Sequence, residues 1–425
     1  MKILRWRRLL FNIKHWIALG ALGFILFLSG VVTFFYGVQI PWRNDRMFSS
    51  TLIILGVFLL GVAGSGGIRA LLKIIRSFNN YRVFDSNAVD EIIHREQVLS
   101  KGPKIVVLGG GTGLSVLLRG LKNYTSNITA IVTVADDGGG SGVLRDEMGM
   151  LPPGDIRNCI LALADTEPTM QKLLNHRFKE GSLKGQSFGN LFIAAMNEIY
   201  GDFNKAIKEM SNVLAVKGKV LPVTLEDIEL VAELQGGIKV KGESEIPIKS
   251  RETGKRIERV RIEPDHSKPL DESLFEISNA DCIVLGPGSL YTSVIPNLLV
   301  EGMAKAVKES KATKVYIGNV MTQPGETDGY GIYDHVEAVL EHSYDDMIDY
   351  VISNIGVIPE ETLKRYSEDG AEMVSITEED EEKLRAKGIV LVKDKLVESD
   401  KEKIRHDSNE LSQIIVKIAL ASRLK

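Results

Sequence analysis

Three aspartates near the middle of the chain have the residue type and spacing for chemistry. They lie in the stretch VADDGGGSGVLRDEMGMLPPGDIRN (134–158), where Asp136 and Asp137 are adjacent and Asp155 follows a Pro-Pro-Gly turn. Carboxylates are hard oxygen ligands that suit Mg²⁺ together with phosphate oxygens. An acid about 20 residues past a glycine turn can instead bind ribose hydroxyls in a dinucleotide-binding fold. Asp155 could also serve only as the N-cap of the helix that DIRNCILAL predicts.

Two glycine-rich turns could bind the phosphates of a nucleotide. GGGTG (109–113) stands between a predicted strand and a predicted helix, and GPGSLYTS (286–293) repeats that arrangement with hydroxyl side chains. Glycines let backbone N–H groups approach an anion closely, and a helix N-terminus adds a favourable dipole. SFGN (187–190) and NVMTQPGETDG (319–329) join further elements in a similar way. Because ligands of open α/β sheets bind at the carboxyl ends of the strands, these turns predict one shared crevice.

Several catalytic motifs are missing from the sequence. GGGTG lacks the Gly-Lys-Ser/Thr of a Walker A loop, and Val116 stands where a dinucleotide-binding fingerprint has its third glycine. An NAD-linked oxidoreductase is therefore kept as a minor alternative. Neither His-Glu-x-x-His nor Gly-x-Ser-x-Gly occurs, so zinc hydrolysis and serine-hydrolase chemistry have no support.

The elements that must position these groups have the pattern of an α/β fold. KIVVLGG (104–110) is a continuous apolar strand of the kind buried in a parallel sheet, and an amphipathic helix and the strand ITAIVTVADD follow it as a βαβ unit. We predict a Rossmann-like three-layer parallel sheet over 103–425, with an antiparallel β insertion at about 220–262. Further strands are predicted at 281–288, 314–320 and 350–354, and helices at 154–166, 187–200, 202–213, 298–309, 359–367 and 409–424.

Two uncharged apolar runs near the N-terminus predict two transmembrane helices. They cover about 17–40 and 47–68, and about 20 apolar residues span a bilayer as a helix. A cleavable signal peptide is disfavoured because the first run is long and a second run follows at once. Lysines and arginines flank the outer ends of both runs, which places both ends and the main domain in the cytoplasm. We predict a membrane anchor over 1–76, a linker over 77–102 and a multi-pass protein of the cell membrane.

Charge and cysteine content restrict the remaining function classes. The chain has a net charge of −4, but residues 1–95 carry +8 and the rest carries −12. A body that acidic argues against general nucleic-acid binding, which needs a cationic surface. The two cysteines, Cys159 and Cys282, exclude a disulfide framework and favour a reducing compartment.

The ordered motifs resemble those of a known family. GGGTGLSVLLRGLK, ITAIVTVADDGGGSG, PPGDIRN, GNL (189–191), GPGSLYTSVIPNLL and NVMTQPGETDGY are similar to the 2-phospho-L-lactate transferase-like superfamily, and within it to the gluconeogenesis-factor branch. The resemblance runs from about Lys104 to the C-terminus, so the predicted anchor lies outside the usual family core.

This resemblance implies two different functions. In transferase members a Mg²⁺-dependent site moves a phospholactyl group from a guanylated donor to a deazaflavin, and its acids match Asp137 and Asp155. This chain has Arg157 and Asn158 where the transferase pattern has acidic character, and an arginine suits direct pairing with a diphosphate. The other branch implies a binder of UDP-sugars such as UDP-N-acetylglucosamine, associated with gluconeogenic growth, cell shape and cell-wall synthesis. For this branch, the resemblance implies that Tyr366 and Arg405 help to bind the sugar nucleotide.

The predicted ligand is therefore a nucleotide sugar, and a Mg²⁺-dependent transferase remains the alternative. Mg²⁺ is the one cofactor considered, with Asp137 and Asp155 as its ligands. A cell-wall or regulatory protein partner and homo-oligomerisation are further expectations. The residues assigned to nucleotide or phosphate binding are Gly110, Gly111, Thr112, Gly113, Asp136, Asp137, Gly139, Ser141, Asp155, Arg157, Asn158, Asn190, Gly286, Gly288, Ser289, Tyr366 and Arg405.

Overall fold

Two units of very different composition make up the chain. The computed structural model describes residues 2–36, 45–78, 96–165, 168–399 and 404–423. Unit one is Met1–His94 and unit two is Arg95–Lys425. Residues 37–44, between the two apolar helices, and most of the predicted linker lie outside the described residues.

Unit one contains two long apolar helices, α1 (Lys2–Tyr36) and α2 (Asp45–Phe78). Their most apolar windows, Ala18–Phe35 and Met47–Ile68, have mean hydropathies of 2.2 and 2.1 and are long enough to cross a membrane. Only 11% of the first window and 17% of the second is buried, whereas the core helix of a soluble protein would be mostly buried. The helices approach closely at small residues: a Cβ on Gly56 would lie 2.5 Å from the backbone nitrogen of Phe27.

A parallel seven-stranded sheet forms the centre of unit two, which confirms the predicted α/β class. Its inner strands are mostly apolar runs because both faces are covered by helices, as Val107, Leu108 and Val284 at 0% exposure illustrate. The sheet order is β10-β9-β8-β7-β1-β2-β3. Its strands are β1 (Ile105–Gly109), β2 (Ile128–Val132), β3 (Lys219–Pro222), β7 (Cys282–Leu285), β8 (Thr313–Ile317), β9 (Tyr350–Asn354) and β10 (Val390–Asp394).

Two smaller antiparallel sheets accompany it. The insertion sheet has the order β5-β4-β6, with β4 (Glu229–Leu234), β5 (Ile238–Lys241) and β6 (Ile257–Glu263). The predicted insertion boundary at 220 is wrong, because Lys219–Pro222 pairs in parallel with β2 and belongs to the main sheet. A hairpin of β11 (Val397–Ser399) and β12 (Ile404–His406) lies near the C-terminus.

Helices connect the strands of unit two. A short helix at 96–100 (α3) carries the buried Leu99, so the end of the predicted linker is part of the folded body. The predicted helices at 187–200 and 202–213 are confirmed to within a residue as α8 and α9. The helices are α4 (Gly111–Leu121), α5 (Gly139–Met148), α6 (Gly154–Leu163), α7 (Pro168–Leu174), α8 (Phe188–Tyr200), α9 (Phe203–Val213), α10 (Glu245–Thr253), α11 (Asp271–Ser278), α12 (Ile295–Leu299), α13 (Met303–Glu309), α14 (Ile332–Glu341), α15 (Glu360–Glu368), α16 (Glu378–Ala386) and α17 (Ser408–Ser422).

The glycine stretch GGGSG (138–142) lies at the start of helix α5, which begins at Gly139. One local prediction is wrong. The predicted helix at 298–309 is broken: a π-helical turn, Leu290–Val294, leads into α12, and Gly302 with a φ of 80° separates α12 from α13. Glycine adopts this left-handed conformation at little steric cost, so the break is local in origin.

Candidate functional site

A cleft lies beyond the carboxyl ends of β1, β7 and β8. Open α/β sheets bind ligands at this position. Among the residues that the structure describes, the lining of this cleft contains one cationic side chain, Arg405, and no carboxylate. Burial lowers the pKa of His406 to about 4, which keeps its imidazole neutral. The cleft therefore favours an anion.

The two glycine turns meet backbone to backbone in this cleft. A Cβ on Gly113 would lie 2.8 Å from the carbonyl oxygen of Pro287, and a Cβ on Gly288 would lie 3.3 Å from that of Gly110. Gly111 has a φ of 67°, in the left-handed region that favours glycine. The sequence predicted that these two glycine turns share a crevice. They lie together there because the glycines place no side chain between the two backbones.

The amino end of α4 offers backbone donors to the cleft. Its N-cap, Gly110, has no side chain to accept a hydrogen bond from the first turn. The first N–H groups of a helix have no partner within the helix, and the helix dipole makes this end partly positive. Thr112 and Gly113, which line the cleft, belong to this first turn.

Asp155 holds the first glycine turn in place. Its Oδ2 accepts a hydrogen bond from the Gly111 N–H at 2.5 Å, and a Cβ on Gly110 would lie 2.7 Å from the same oxygen. The capping interpretation is wrong, because the N-cap of α6 is Pro153. Burial, and next the charge of Asp136, raise the pKa of Asp155 to about 6.

Arg157, Asn158 and Asn190 lie outside the lining of the cleft. The Arg157 guanidinium donates to Asn190 Oδ1 at 3.0 Å, to Asn158 Oδ1 at 2.8 Å and to the Ser187 hydroxyl. Arg157 is 9% exposed. Burial lowers the pKa of its guanidinium, and the charge of the neighbouring Arg177 lowers it further. The structure uses Arg157 to join α6 to the start of α8, so the predicted contact with a diphosphate would need a rearrangement.

The adjacent aspartates have separate partners. Asp136 Oδ1 accepts from the Gly138 N–H at 3.0 Å within its own loop. Asp137 Oδ1 accepts from the Ser244 N–H of the insertion at 2.9 Å. Ser141 is buried, and a Cβ on Gly154 would lie 2.4 Å from its hydroxyl oxygen. Together with Gly139 at the start of α5, these residues support the site from outside the cleft lining.

Two acids that the sequence motifs do not mark have strongly raised pKa values. Burial and the charge of Asp136 raise the pKa of Glu243 to about 8. Burial raises the pKa of Glu326 to about 7. Glu326 lies in the NVMTQPGETDG stretch, which was noted as a turn but not for its acid, whereas nothing local marks Glu243. Within the described ranges, no group of three or more His, Cys, Asp or Glu side chains is arranged to hold a metal ion. Mg²⁺ at Asp137 and Asp155 stays a prediction.

Tyr366 and Arg405 line the same cleft as the glycine turns. Tyr366 lies 38 residues before Ile404, the chain neighbour of Arg405. The Tyr366 hydroxyl accepts from the Ile404 N–H at 3.1 Å, which ties α15 to β12 next to Arg405. The exposed Arg405 forms no ion pair with another described residue. Burial lowers the pKa of Arg119, and the charge of Arg405 lowers it further. Two neighbouring guanidiniums again favour an anion. The cleft also takes Gln323 and Asn319 from the loop after β8.

Comparison with known proteins gives one consistent family. Residues 105–397 match the family model described as 2-phospho-L-lactate transferase CofD. A Clostridium acetobutylicum protein provisionally named gluconeogenesis factor is 46% identical over 100% of this chain and 93% of its own length. The gluconeogenesis factor of Halalkalibacterium halodurans is 49% identical over 74% of this chain and 96% of its own length. A crystal structure of a UPF0052-family protein from Bacillus halodurans superposes with a TM-score of 0.70 at 49% identity, covering 73% of this chain and 98% of that chain.

The relatives thus differ in length. The Clostridium alignment includes the two apolar helices of unit one, because it covers the whole of this chain. About three quarters of this chain aligns with nearly the whole of the crystallised relative. Unit two makes up a similar fraction of this chain. A chain of that size therefore folds without a counterpart of unit one.

Proposed function

This chain belongs to the CofD family, and from that premise we propose that it is a nucleotide-sugar-binding regulator and not a phospholactyl transferase. Its ligand is a UDP-sugar of the UDP-N-acetylglucosamine type, and its role is that of a gluconeogenesis factor linked to gluconeogenic growth, cell shape and cell-wall synthesis. The observation that carries this proposal is the chemistry of the cleft. In the part of the chain that the structure describes, glycine-turn amides, hydroxyls and one arginine line it, without a carboxylate.

A diphosphate fits this set of donors. Thr112 and Gly113, at the start of α4, border the same space as Ser289 and Arg405. Charge-assisted hydrogen bonds to phosphate contribute more than neutral ones, and arginine can form two in parallel. A cleft whose own charge is positive binds a diphosphate without a bridging cation, which supports a metal-independent binder.

The acids expected for transfer chemistry are engaged elsewhere. Asp155 accepts from the Gly111 N–H and Asp137 accepts from the Ser244 N–H. A carboxylate that stabilises a neighbouring backbone turn is less available as a metal ligand. The family description still makes a Mg²⁺-dependent transferase the second candidate.

Calorimetric titration of residues 95–425 separates these functions. We expect a UDP-sugar to bind equally well with Mg²⁺ and with EDTA, and GDP and NAD to bind weakly. Turnover of a guanylated donor that needs Mg²⁺ would favour the transferase. No heat with any UDP-sugar would contradict the proposal.

Arg405→Ala should weaken UDP-sugar binding about 10- to 100-fold, because a charge-assisted contact contributes about 1.5–3 kcal/mol. Arg385→Ala is the matched control, since Arg385 is equally exposed but lies on α16 outside the cleft lining. Equal affinity of the two variants would show that Arg405 does not contact the ligand.

We propose in addition that the two apolar helices anchor the chain in the cell membrane with unit two in the cytoplasm. Their exposed apolar surfaces and their inclusion in the Clostridium alignment support this placement. The full chain should stay in the membrane fraction after an alkaline carbonate wash, and a chain that starts at residue 95 should be soluble. Recovery of the full chain in the soluble fraction, or removal of α1 during maturation, would contradict the anchor.

A further inference from the structure

Gln323 joins the loop after β8 to the second glycine turn of the cleft. Its Nε2 donates a hydrogen bond to the Ser289 hydroxyl oxygen at 2.7 Å, and both residues line the cleft. Because β7 and β8 are parallel neighbours, the segments that follow them emerge side by side at one edge of the sheet. The hydrogen bond therefore links two segments that lie 34 residues apart in the chain.

The loop after β8 fixes the position of Gln323. The Gln323 N–H donates to the Thr327 hydroxyl at 2.9 Å, and its carbonyl oxygen accepts the N–H groups of Glu326 and Thr327 at 2.9 Å each. One residue earlier, the Thr322 N–H donates to the Glu372 carbonyl oxygen at 2.7 Å, and the Glu372 N–H donates to the Thr322 hydroxyl at 2.9 Å. These bonds involve no ligand, so the loop places the Gln323 amide before a ligand binds.

The Ser289 hydroxyl has a proton that no described residue accepts. Ser289 precedes the π-helical turn Leu290–Val294, but its side chain does not cap that turn. Its carbonyl oxygen accepts the N–H groups of Ser293 and Val294 at 3.0 Å each, which fixes the backbone at this point. A serine hydroxyl has one proton and two lone pairs. Since Gln323 fills one lone pair, the proton is directed away from Gln323, and Ser289 borders the open cleft.

The unpartnered atom of the Gln323 amide favours this direction of the hydrogen bond. Its buried Oε1 accepts no hydrogen bond from any described residue. In the opposite orientation of the amide, Ser289 would donate to Oε1, and the buried NH₂ group would be left without an acceptor. A carbonyl oxygen without a donor is tolerated more often than an N–H without an acceptor. The amide of Gln323 thus donates to Ser289 and leaves the Ser289 proton free.

We propose that Gln323 is a positioning residue, which fills a lone pair of the Ser289 hydroxyl so that Ser289 donates its proton to an anionic oxygen of the ligand's diphosphate. This role rests on the proposed nucleotide-sugar function and describes how one of its phosphate contacts is made. A hydroxyl that accepts a hydrogen bond is polarised and becomes a stronger donor. A hydrogen bond to a charged oxygen also contributes more than a neutral one. Gln323 therefore acts on the ligand through Ser289.

A double-mutant cycle on residues 95–425 tests this coupling by calorimetry with UDP-N-acetylglucosamine. Gln323→Met has a similar length but no donor, and it should weaken binding about 3- to 10-fold. Ser289→Ala should weaken binding about 10- to 100-fold, because it removes a bond to a charged oxygen. The double variant should bind within about twofold of Ser289→Ala, since Gln323 then has no hydroxyl to direct.

A matched control and a second variant separate positioning from a general effect on the fold. Gln235→Met makes the same change at an exposed glutamine between β4 and β5, outside the cleft lining, and should bind like the unmodified protein. Gln323→Ala should show the same coupling to Ser289 as Gln323→Met. Urea unfolding of each variant shows whether it is folded. A merely structural role of Gln323 would weaken binding further in the Ser289→Ala background.

The positioning role is overturned if the losses from Gln323→Met and Ser289→Ala multiply in the double variant. It is overturned equally if Gln323→Met binds as tightly as the unmodified protein or more tightly, because the amide would then be taking the Ser289 proton. The cycle is repeated with inorganic pyrophosphate, which presents the anionic oxygens alone. If the unmodified protein binds pyrophosphate but no UDP-sugar, the nucleotide-sugar function fails and the pyrophosphate cycle still decides the role of Gln323. Binding of neither probe overturns both proposals.

Discussion

Gly113→Ala is expected to weaken nucleotide binding by about 10- to 100-fold while unit two remains folded, because overpacking costs about 1–3 kcal/mol. The new Cβ would lie 2.8 Å from the Pro287 carbonyl oxygen and 3.3 Å from the Gly288 nitrogen, both of them backbone atoms. Backbone cannot rotate away as a flexible side chain can, so the two turns must separate. Separation moves the amides at the start of α4 away from the donors on the second turn.

Gly109→Ala provides the matched control for this variant. It makes the same change four residues earlier, where the nearest atoms to the new Cβ are 3.7 Å away or farther, an ordinary contact distance. Calorimetry with a UDP-sugar and urea unfolding should be measured on both variants. Unchanged affinity in Gly113→Ala would mean that the ligand does not depend on the contact between the two turns.

Asp155→Ala is expected to weaken nucleotide binding by about 10-fold or more, whereas Asp155→Asn should change it by less than about threefold. The carboxylate supports the glycine turn through the Gly111 N–H. Alanine leaves that buried donor without its acceptor, but asparagine can present its amide oxygen in the same place. The comparison therefore separates an acceptor that positions a turn from a charge that binds a metal.

The same pair of variants discriminates between binder and transferase. If Asp155 were a Mg²⁺ ligand in a transfer reaction, loss of its charge would disable Asp155→Asn as strongly as Asp155→Ala. Binding should be measured with and without EDTA, and turnover of a guanylated donor should be assayed in parallel. Equal loss in both variants, together with Mg²⁺-dependent binding in the unmodified protein, would refute the positioning role.

Local patterns in the sequence were sufficient for the class of the fold and the place of the cleft. A continuous apolar strand such as KIVVLGG is typical of a parallel sheet that is covered on both faces, and the structure places this strand inside the sheet as β1, between β7 and β2. Two glycine turns that follow strands of one parallel sheet must emerge at the same edge, which is why Gly113 and Pro287 meet. The sequence also identified the two apolar helices as long enough to span a bilayer, because this property depends only on length and composition.

Only the tertiary structure decided what the polar side chains do. Asp155 bonds to a residue 44 positions away and Asp137 to one 107 positions away, so neither contact leaves a trace in local spacing. Arg157 carried the charge expected of a phosphate ligand, yet packing of α6 against α8 buries it among neutral amides. Glu243 has nothing unusual in its sequence neighbourhood, and the folding of the insertion brings it within range of the charges of Asp136 and Glu326. Periodicity and glycine content act over a few residues, whereas burial and charge pairing depend on which distant segments come together. The unusual composition of the stretch 134–158 is therefore visible in the sequence, but the contacts through which it supports the glycine turn and the insertion required the fold.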